Sequence, residues 1–145
     1  MNKISIALIV TLLAGTLANA QIKVANYSFG KSETDTYEQL SFWVKDGKRQ
    51  AITYTYGMDR KEVNVRYVGK EKLSNTSGFM VQSPTNTTLT IVPAGATLTV
   101  RNPKANYSKK FTWEYEGPVN GIGTFCNVCA QDEKEAMKII KESYL

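Results

Sequence analysis

The chain has 145 residues, of which 42% are hydrophobic and 21% are charged, and its formal net charge at pH 7 is +5. This balance is typical of one soluble globular domain and excludes collagen-like, coiled-coil and disordered chains. Histidine is absent, which excludes Ser-His-Asp and Cys-His catalysis and every histidine-ligated zinc site. The composition therefore predicts no metal and no cofactor, and it favours a non-catalytic protein over an enzyme.

The first twenty residues have the three parts of a secretory signal peptide. Lys3 supplies a positive start, residues 4–17 form an almost unbroken apolar run, and Ala18-Asn19-Ala20 is a small-x-small cleavage signature. The apolar run is shorter than the roughly 20 residues that a membrane-spanning helix needs. We therefore predict cleavage after Ala20 and a periplasmic or extracellular protein of residues 21–145, with no transmembrane segment after cleavage.

Residues 22–115 carry about eight short runs in which apolar and polar side chains alternate, as in strands with one buried face. Residues that favour turns separate the runs, which cover 22–29, 40–44, 52–56, 63–68, 79–82, 89–93, 98–100 and 111–115. Short strands at such regular spacing predict an all-β fold, mainly an antiparallel sandwich or a small barrel.

The turn between the second and third runs has a predictable register. Phe42 and Ile52 belong to the apolar sets of the two runs, and both sets must face one core. Pairing them requires a connection of odd length. We therefore predict a three-residue loop, Asp46-Gly47-Lys48, because a two-residue Asp-Gly turn would turn one apolar set towards solvent.

The hydrophobic period changes near the C-terminus and predicts one helix over about 132–144. Apolar residues recur there at spacings of three and four: Ala136, Met137, Ile140 and Tyr144. Asp132 and Glu135 have the spacing of a capping box, which favours a helix start at this point. Because so short a helix is marginal alone, we expect it to pack on the sheet of a single β-rich domain spanning 21–145.

Cys126 and Cys129 are the two cysteines of the chain. In an exported protein a cysteine pair most often forms a structural disulfide, which is our main prediction. Thiol–disulfide exchange is the alternative, because a nearby helix start would lower the pKa of a thiolate. Two thiolates without histidine are too few for a zinc site.

Glu114 and Glu116 have the same parity at the end of the last predicted strand, so their side chains should point to one side. Most enzymes that cleave glycosides use a pair of carboxylates. The alternation with Trp113 and Tyr115 also predicts the simpler outcome that both glutamates face solvent. We keep both glutamates as candidate ligand- or partner-binding residues.

Trp43 is the third such candidate. It is out of phase with Phe42 and Val44, so its ring should point away from the core. A flat aromatic face there would suit a sugar, an apolar ligand or a protein partner, or it could lie under the helix or a loop.

The basic residues do not form a nucleic-acid site, because most alternate with acidic residues. The densest basic group contains Lys104, Lys109 and Lys110, and we interpret it as a solvated loop. No nucleic-acid partner is predicted.

Together these patterns predict a secreted or periplasmic, non-catalytic binding or interaction module whose partner is an unknown protein, a glycan or a small apolar ligand. Two alternatives stay open. One is a barrel that carries a small apolar molecule, provided that the aromatic residues leave a cavity. The other is an exported thiol–disulfide or carbohydrate-active enzyme that uses the cysteines or the glutamates.

Overall fold

A computed structural model describes residues 20–102, 104–115 and 126–145. The order of elements is β1 (Ile22–Phe29), β2 (Glu38–Lys45), β3 (Lys48–Tyr56), β4 (Lys61–Lys72), β5 (Ser77–Gln82), β6 (Thr88–Ala94), β7 (Thr97–Asn102), β8 (Tyr107–Glu114) and α1 (Glu133–Ser143). The predicted all-β fold with one C-terminal helix is confirmed. Residues 1–19 of the predicted signal peptide lie outside the described residues.

The eight strands form a closed antiparallel barrel in which each strand pairs with its neighbours in sequence. Closure comes from β1 and β8, where Tyr27 pairs with Trp113. A closed barrel leaves no free strand edge, and its inward side chains form one core. Of the two predicted architectures, the sandwich and the barrel, the barrel is the one observed.

The two ends of the barrel differ. One end, which we call the open end, carries the connections β1–β2, β3–β4, β5–β6 and β7–β8. The other, the helix end, carries the turns β2–β3, β4–β5 and β6–β7, and the C-terminal part of α1 contacts it. Ser143 donates a hydrogen bond from its hydroxyl to the Gly47 carbonyl in the β2–β3 turn, at 3.0 Å.

The β2–β3 turn is shorter than predicted. Lys45 pairs with Lys48, so the turn contains only Asp46 and Gly47. Both residues have positive φ, 51° and 73°, as the two-residue turns of right-twisted hairpins require. The prediction of a three-residue loop is wrong.

The predicted pairing of Phe42 with Ile52 is nevertheless present. Between the turn and this pair the register shifts by one residue, and Gln50 is the residue of β3 left without a partner. An extra residue of this kind is a β-bulge. The bulge, and not an odd turn, keeps both apolar sets on the inner face.

The bulge also determines which polar side chain of β3 lies on the inner side at the helix end. Arg49 pairs with Val44, whose side chain is in the core, so Arg49 takes the position that strict alternation gives to Gln50. The Arg49 guanidinium lies 4.0 Å from the centre of the Tyr67 ring and donates a hydrogen bond to the Ser143 carbonyl at 2.8 Å. A cation is favourable at this place because the last carbonyls of a helix carry partial negative charge.

Aromatic side chains fill the helix end of the barrel. The Tyr144 ring lies 5.3 Å from Phe42 and 5.5 Å from Phe79, measured between ring centres. Its hydroxyl lies 2.9 Å from the Trp43 carbonyl oxygen and 3.1 Å from that of Ala51, beside the bulge. Only 1% of Tyr144 is exposed, so this residue closes the barrel interior at the helix end.

The start of α1 has the predicted cap. Asp132 accepts a hydrogen bond from the Glu135 backbone N–H at 2.8 Å, and the Glu135 carboxylate accepts one from the Gln131 N–H at 2.7 Å. That backbone hydrogen bond lowers the pKa of Glu135 despite partial burial, and the Lys23 ammonium at 3.1 Å adds to the effect. Asp132 thus satisfies one N–H that the helix leaves free, whereas Glu135 reaches back one residue beyond the N-cap, to Gln131.

Candidate functional site

The half of the barrel nearest the open end contains a cavity of about 220 Å³. Its wall is mainly aliphatic and includes Leu40, Val65, Val81, Leu89, Ile91 and Val100. Most of the inward residues of this half are Val, Leu and Ile, joined by the rings of Tyr54, Tyr107 and Phe111 along the wall, whereas closely packed rings fill the other half. A wall with few hydrogen-bonding groups favours an apolar occupant over water.

A small polar cluster, the mouth cluster, lies where the cavity meets the open end. It consists of Glu38, Tyr54 and Tyr107, which line the cavity, and Lys109, which pairs with Glu38. The Lys109 ammonium donates a hydrogen bond to the Glu38 carboxylate. It also lies 4.8 Å from the ring centre of Phe29 and 5.2 Å from that of Tyr107.

The mouth cluster is partly shielded from water. The side chains of Glu38 and Lys109 are 12% and 27% exposed. Burial, reinforced by the Glu38 carboxylate, raises the pKa of Tyr54 and that of Tyr107, so both hydroxyls are neutral near pH 7. Burial alone would lower the pKa of Lys109, but hydrogen bonds to Glu38 and Tyr107 raise it. The cluster therefore combines one paired cation, one paired anion and two neutral hydroxyls.

The structure corrects the interpretation of the basic group. Lys104 is exposed in the β7–β8 connection, but Lys109 and Lys110 belong to β8. Lys110 is exposed on the outer face, whereas Lys109 points inward and pairs with Glu38. The prediction of a wholly solvated loop is wrong for Lys109.

Sequence reasoning missed the mouth cluster, although the sequence contains a signal for it. Lys109 has the parity of Phe111, and Glu38 has the parity of Leu40 and Phe42, which are core residues. Two opposite charges in phase with the core sets of two strands indicate an inward pair.

Cys126 and Cys129 form a disulfide bond, with 5.3 Å between their Cα atoms. The segment around Cys129 runs beside β1. The Val24 N–H donates to the Val128 carbonyl at 2.9 Å, and the Ala130 N–H donates to the Val24 carbonyl at 2.8 Å. Neither cysteine lines the cavity. The pair thus lies on the segment that precedes α1, where this segment is hydrogen-bonded to β1.

The other candidates from the sequence also lie away from the cavity. Trp43 is half-buried on the outer face of β2, and Glu114 is half-buried on the outer face of β8. Glu114 accepts a hydrogen bond from the Tyr37 hydroxyl at 3.0 Å. Glu116 lies outside the described residues, so the paired-carboxylate hypothesis stays a prediction.

Two features are absent from the described ranges. Among residues 20–102, 104–115 and 126–145, no group of three or more Cys, Asp or Glu side chains is placed to hold a metal ion. In the same ranges, no helix has the length and apolar character needed to cross a membrane.

Fold and site together define the class of this protein: a closed eight-stranded antiparallel barrel with an apolar internal cavity and a C-terminal helix that packs against one end. Comparisons with protein-family models, curated proteins and solved structures found no match for the chain.

Proposed function

We propose that this protein is exported and that its barrel binds one small apolar molecule in the cavity at the open end. The cavity is the observation that carries the proposal. Its volume of about 220 Å³ exceeds the roughly 150 Å³ of an engineered apolar cavity that binds benzene. It is smaller than the roughly 300 to 1,000 Å³ of sites for drug-sized molecules. The expected ligand is therefore about the size of one substituted ring or a short chain.

The energetic cost of the cavity supports binding over imperfect packing. At about 24 cal/mol per Å³, an enclosed void of this size costs on the order of 5 kcal/mol, and this figure is an upper limit here because the cavity opens at the mouth cluster. Even part of that cost is a noticeable share of the roughly 5 to 15 kcal/mol by which small domains are stable. A few larger side chains would fill the void and remove this cost. Binding of a ligand is a physical reason why the void is not filled by side chains.

The shape of the interior supports a single route of entry. Tyr144 and the neighbouring rings close the helix end, whereas the cavity lies beneath the connections of the open end. A ligand would enter past Glu38 and Tyr107. The interior of an eight-stranded barrel either is filled by side chains or holds one small ligand. Here side chains fill the half at the helix end, and the half at the open end has room for a ligand.

Export is supported by the predicted signal peptide and is compatible with the Cys126–Cys129 disulfide, because disulfides persist in oxidising compartments. The test is expression of the full chain in a bacterium with a periplasm, followed by fractionation and N-terminal sequencing. We expect periplasmic protein that begins at Gln21. Protein that remains in the cytoplasm and begins at Met1 would overturn this part of the proposal.

Binding is tested with a matched pair of variants in β4. Val63 lines the cavity, and its neighbour Asn64 is exposed on the outer face of the same strand. Val63→Phe fills the cavity, and Asn64→Phe adds the same ring outside it. The probe is toluene, titrated into isotope-labelled protein while backbone amide shifts are recorded by NMR.

We expect toluene to shift the amides of cavity residues in the wild type and in Asn64→Phe, with at least tenfold weaker binding to Val63→Phe. Thermal melting checks that each variant is folded. If Val63→Phe is unfolded, Leu89→Trp is the second cavity-filling variant, because Leu89 is a partly exposed residue near the open end. Equal toluene affinity for a folded cavity-filling variant and the wild type would contradict the proposal, as would the absence of shifts at the cavity.

A further inference from the structure

We propose that the ligand is electrically neutral and carries a hydrogen-bond donor, such as the O–H of an alcohol or phenol, which docks on the Glu38 carboxylate. This inference rests on the proposed function and adds the charge class and polar group of the ligand.

The first step is that Glu38 is an acceptor facing the cavity. Glu38 is a lining residue, and an ionised carboxylate accepts hydrogen bonds but cannot donate them. Its two oxygens offer about four acceptor positions, of which the Lys109 ammonium and the Tyr54 and Tyr107 hydroxyls occupy three, so one remains for a ligand. A ligand whose apolar part fills the cavity would bring an O–H or N–H group to this carboxylate. The hydroxyls of Tyr54 and Tyr107 donate to Glu38 and can still accept a hydrogen bond beside it.

The second step is that the charge of Glu38 is already compensated. Lys109 pairs with Glu38 but is not itself a lining residue, and it is held beside the Phe29 and Tyr107 rings. An anionic ligand would meet Glu38 first and would reach Lys109 only by displacing it. A cationic ligand would bring a second positive charge to a carboxylate that already has a partner. Either change leaves a partly buried charge unpaired, whereas a neutral donor leaves the pair intact.

Three ligands built on one ring separate these cases near pH 7: benzyl alcohol is neutral, benzoate is an anion and benzylamine is a cation. They are titrated into the wild type by the NMR assay used for toluene. We expect benzyl alcohol to bind at least tenfold more tightly than benzoate and benzylamine. Benzoate or benzylamine binding as tightly as benzyl alcohol would overturn the inference.

Two charge variants test whether the Glu38–Lys109 ion pair determines the order of affinity of the three ligands. Lys109→Met leaves Glu38 unpaired, so benzylamine should become the preferred ligand. Glu38→Gln leaves Lys109 unpaired, so the affinity ratio of benzoate to benzyl alcohol should rise at least tenfold. The controls Lys110→Met and Glu62→Gln change the same charges on the exposed outer face and should keep the wild-type order.

The outcomes distinguish the two proposals. Failure of toluene and of all three ring ligands to shift cavity amides contradicts the proposed function. Toluene binding combined with an unchanged ligand order in folded Lys109→Met contradicts only the inference about charge. Thermal melting monitors folding, and Glu38→Gln provides the decisive result if Lys109→Met is unfolded.

Discussion

Tyr144 links the last residues of the chain to the barrel core. Its ring lies against Phe42 and Phe79, and its hydroxyl is within hydrogen-bond distance of two backbone carbonyls beside the bulge. Burial raises the pKa of Tyr144, with a small opposing effect from Arg49, so the hydroxyl keeps its proton well above neutral pH. One residue thus supplies both apolar packing and a hydrogen-bond donor for backbone carbonyls beside the bulge.

We expect Tyr144→Phe to lower the free energy of unfolding by about 0.5 to 1.5 kcal/mol, because the ring stays while the hydroxyl that donates to part-buried carbonyls is lost. Urea unfolding followed by circular dichroism measures the change. The control Tyr56→Phe removes a hydroxyl from a residue that is 38% exposed, and its effect should stay within about 0.5 kcal/mol. Equal effects of the two substitutions would show that the Tyr144 hydroxyl has no special role.

Burial of Tyr144 could be predicted from a local sequence pattern, whereas for Lys109 such a pattern gives at most the direction of the side chain and not its partner. Tyr144 follows Met137 and Ile140 at helical spacing, and a local period is enough to place it on the buried face. Lys109 lies next to Lys110, and two adjacent lysines favour solvent by composition alone. The parity of Lys109 with Phe111 indicates an inward side chain, but its partner Glu38 is 71 residues away in sequence. A local pattern does not determine which strands bring the two residues together.

At the level of elements, the β2–β3 hairpin shows how a correct constraint can lead to a wrong geometry. The requirement that Phe42 and Ile52 share a face holds. An odd turn satisfies it, and so does a two-residue turn followed by a bulge. Asp46 and Gly47 favour the two-residue turn, because Asp tolerates and Gly readily adopts positive φ. The bulge at Gln50 then restores the phase.

The bulge has a consequence that Arg49→Met tests. Arg49 joins β3 to α1 through the Ser143 carbonyl and also lies over the Tyr67 ring of β4. Because Arg49 is largely exposed, we expect Arg49→Met to lower the free energy of unfolding by only about 1 to 2 kcal/mol. Arg49→Met should accelerate amide hydrogen exchange in the last turn of α1 more than it accelerates exchange in the strands.

Arg101 provides the matched control, because it is exposed on the outer face of β7. Arg101→Met should leave exchange in α1 unchanged. If both arginine variants accelerate exchange in α1 equally, the helix is not held by Arg49.

At the scale of the whole molecule, alternation predicts strands but not closure. Sandwiches and barrels share the pattern of inward apolar and outward polar residues. The pairing of β1 with β8 distinguishes the barrel, and it joins residues near opposite ends of the domain. The cavity is also a property of the whole barrel, because it depends on how ring and aliphatic side chains from all strands divide between the two ends.

Alkaline stability is a second property of the whole molecule. Burial is the main cause that raises the pKa of five tyrosines: Tyr27, Tyr37, Tyr54, Tyr107 and Tyr144. In the unfolded chain tyrosine has a pKa of about 10, so above that pH the unfolded state binds fewer protons than the folded state. The stabilisation from the protonated hydroxyls is therefore complete below about pH 10 and is lost as the pH rises further. Each tyrosine contributes up to about 1.4 kcal/mol per pH unit to this loss.

Tyr27→Phe isolates one of these contributions. Tyr27 is 0% exposed, and its hydroxyl has no hydrogen-bond partner among the described residues. Removing that hydroxyl should therefore leave the free energy of unfolding near pH 7 unchanged or raise it, because no hydrogen bond is lost. Above pH 10 the variant should lose stability more slowly than the wild type, by up to about 1.4 kcal/mol per pH unit. Urea unfolding between about pH 7 and pH 11.5 measures both slopes. Parallel slopes would mean that Tyr27 ionises as readily in the barrel as in the unfolded chain, and a marked loss of stability at pH 7 would reveal a partner for its hydroxyl.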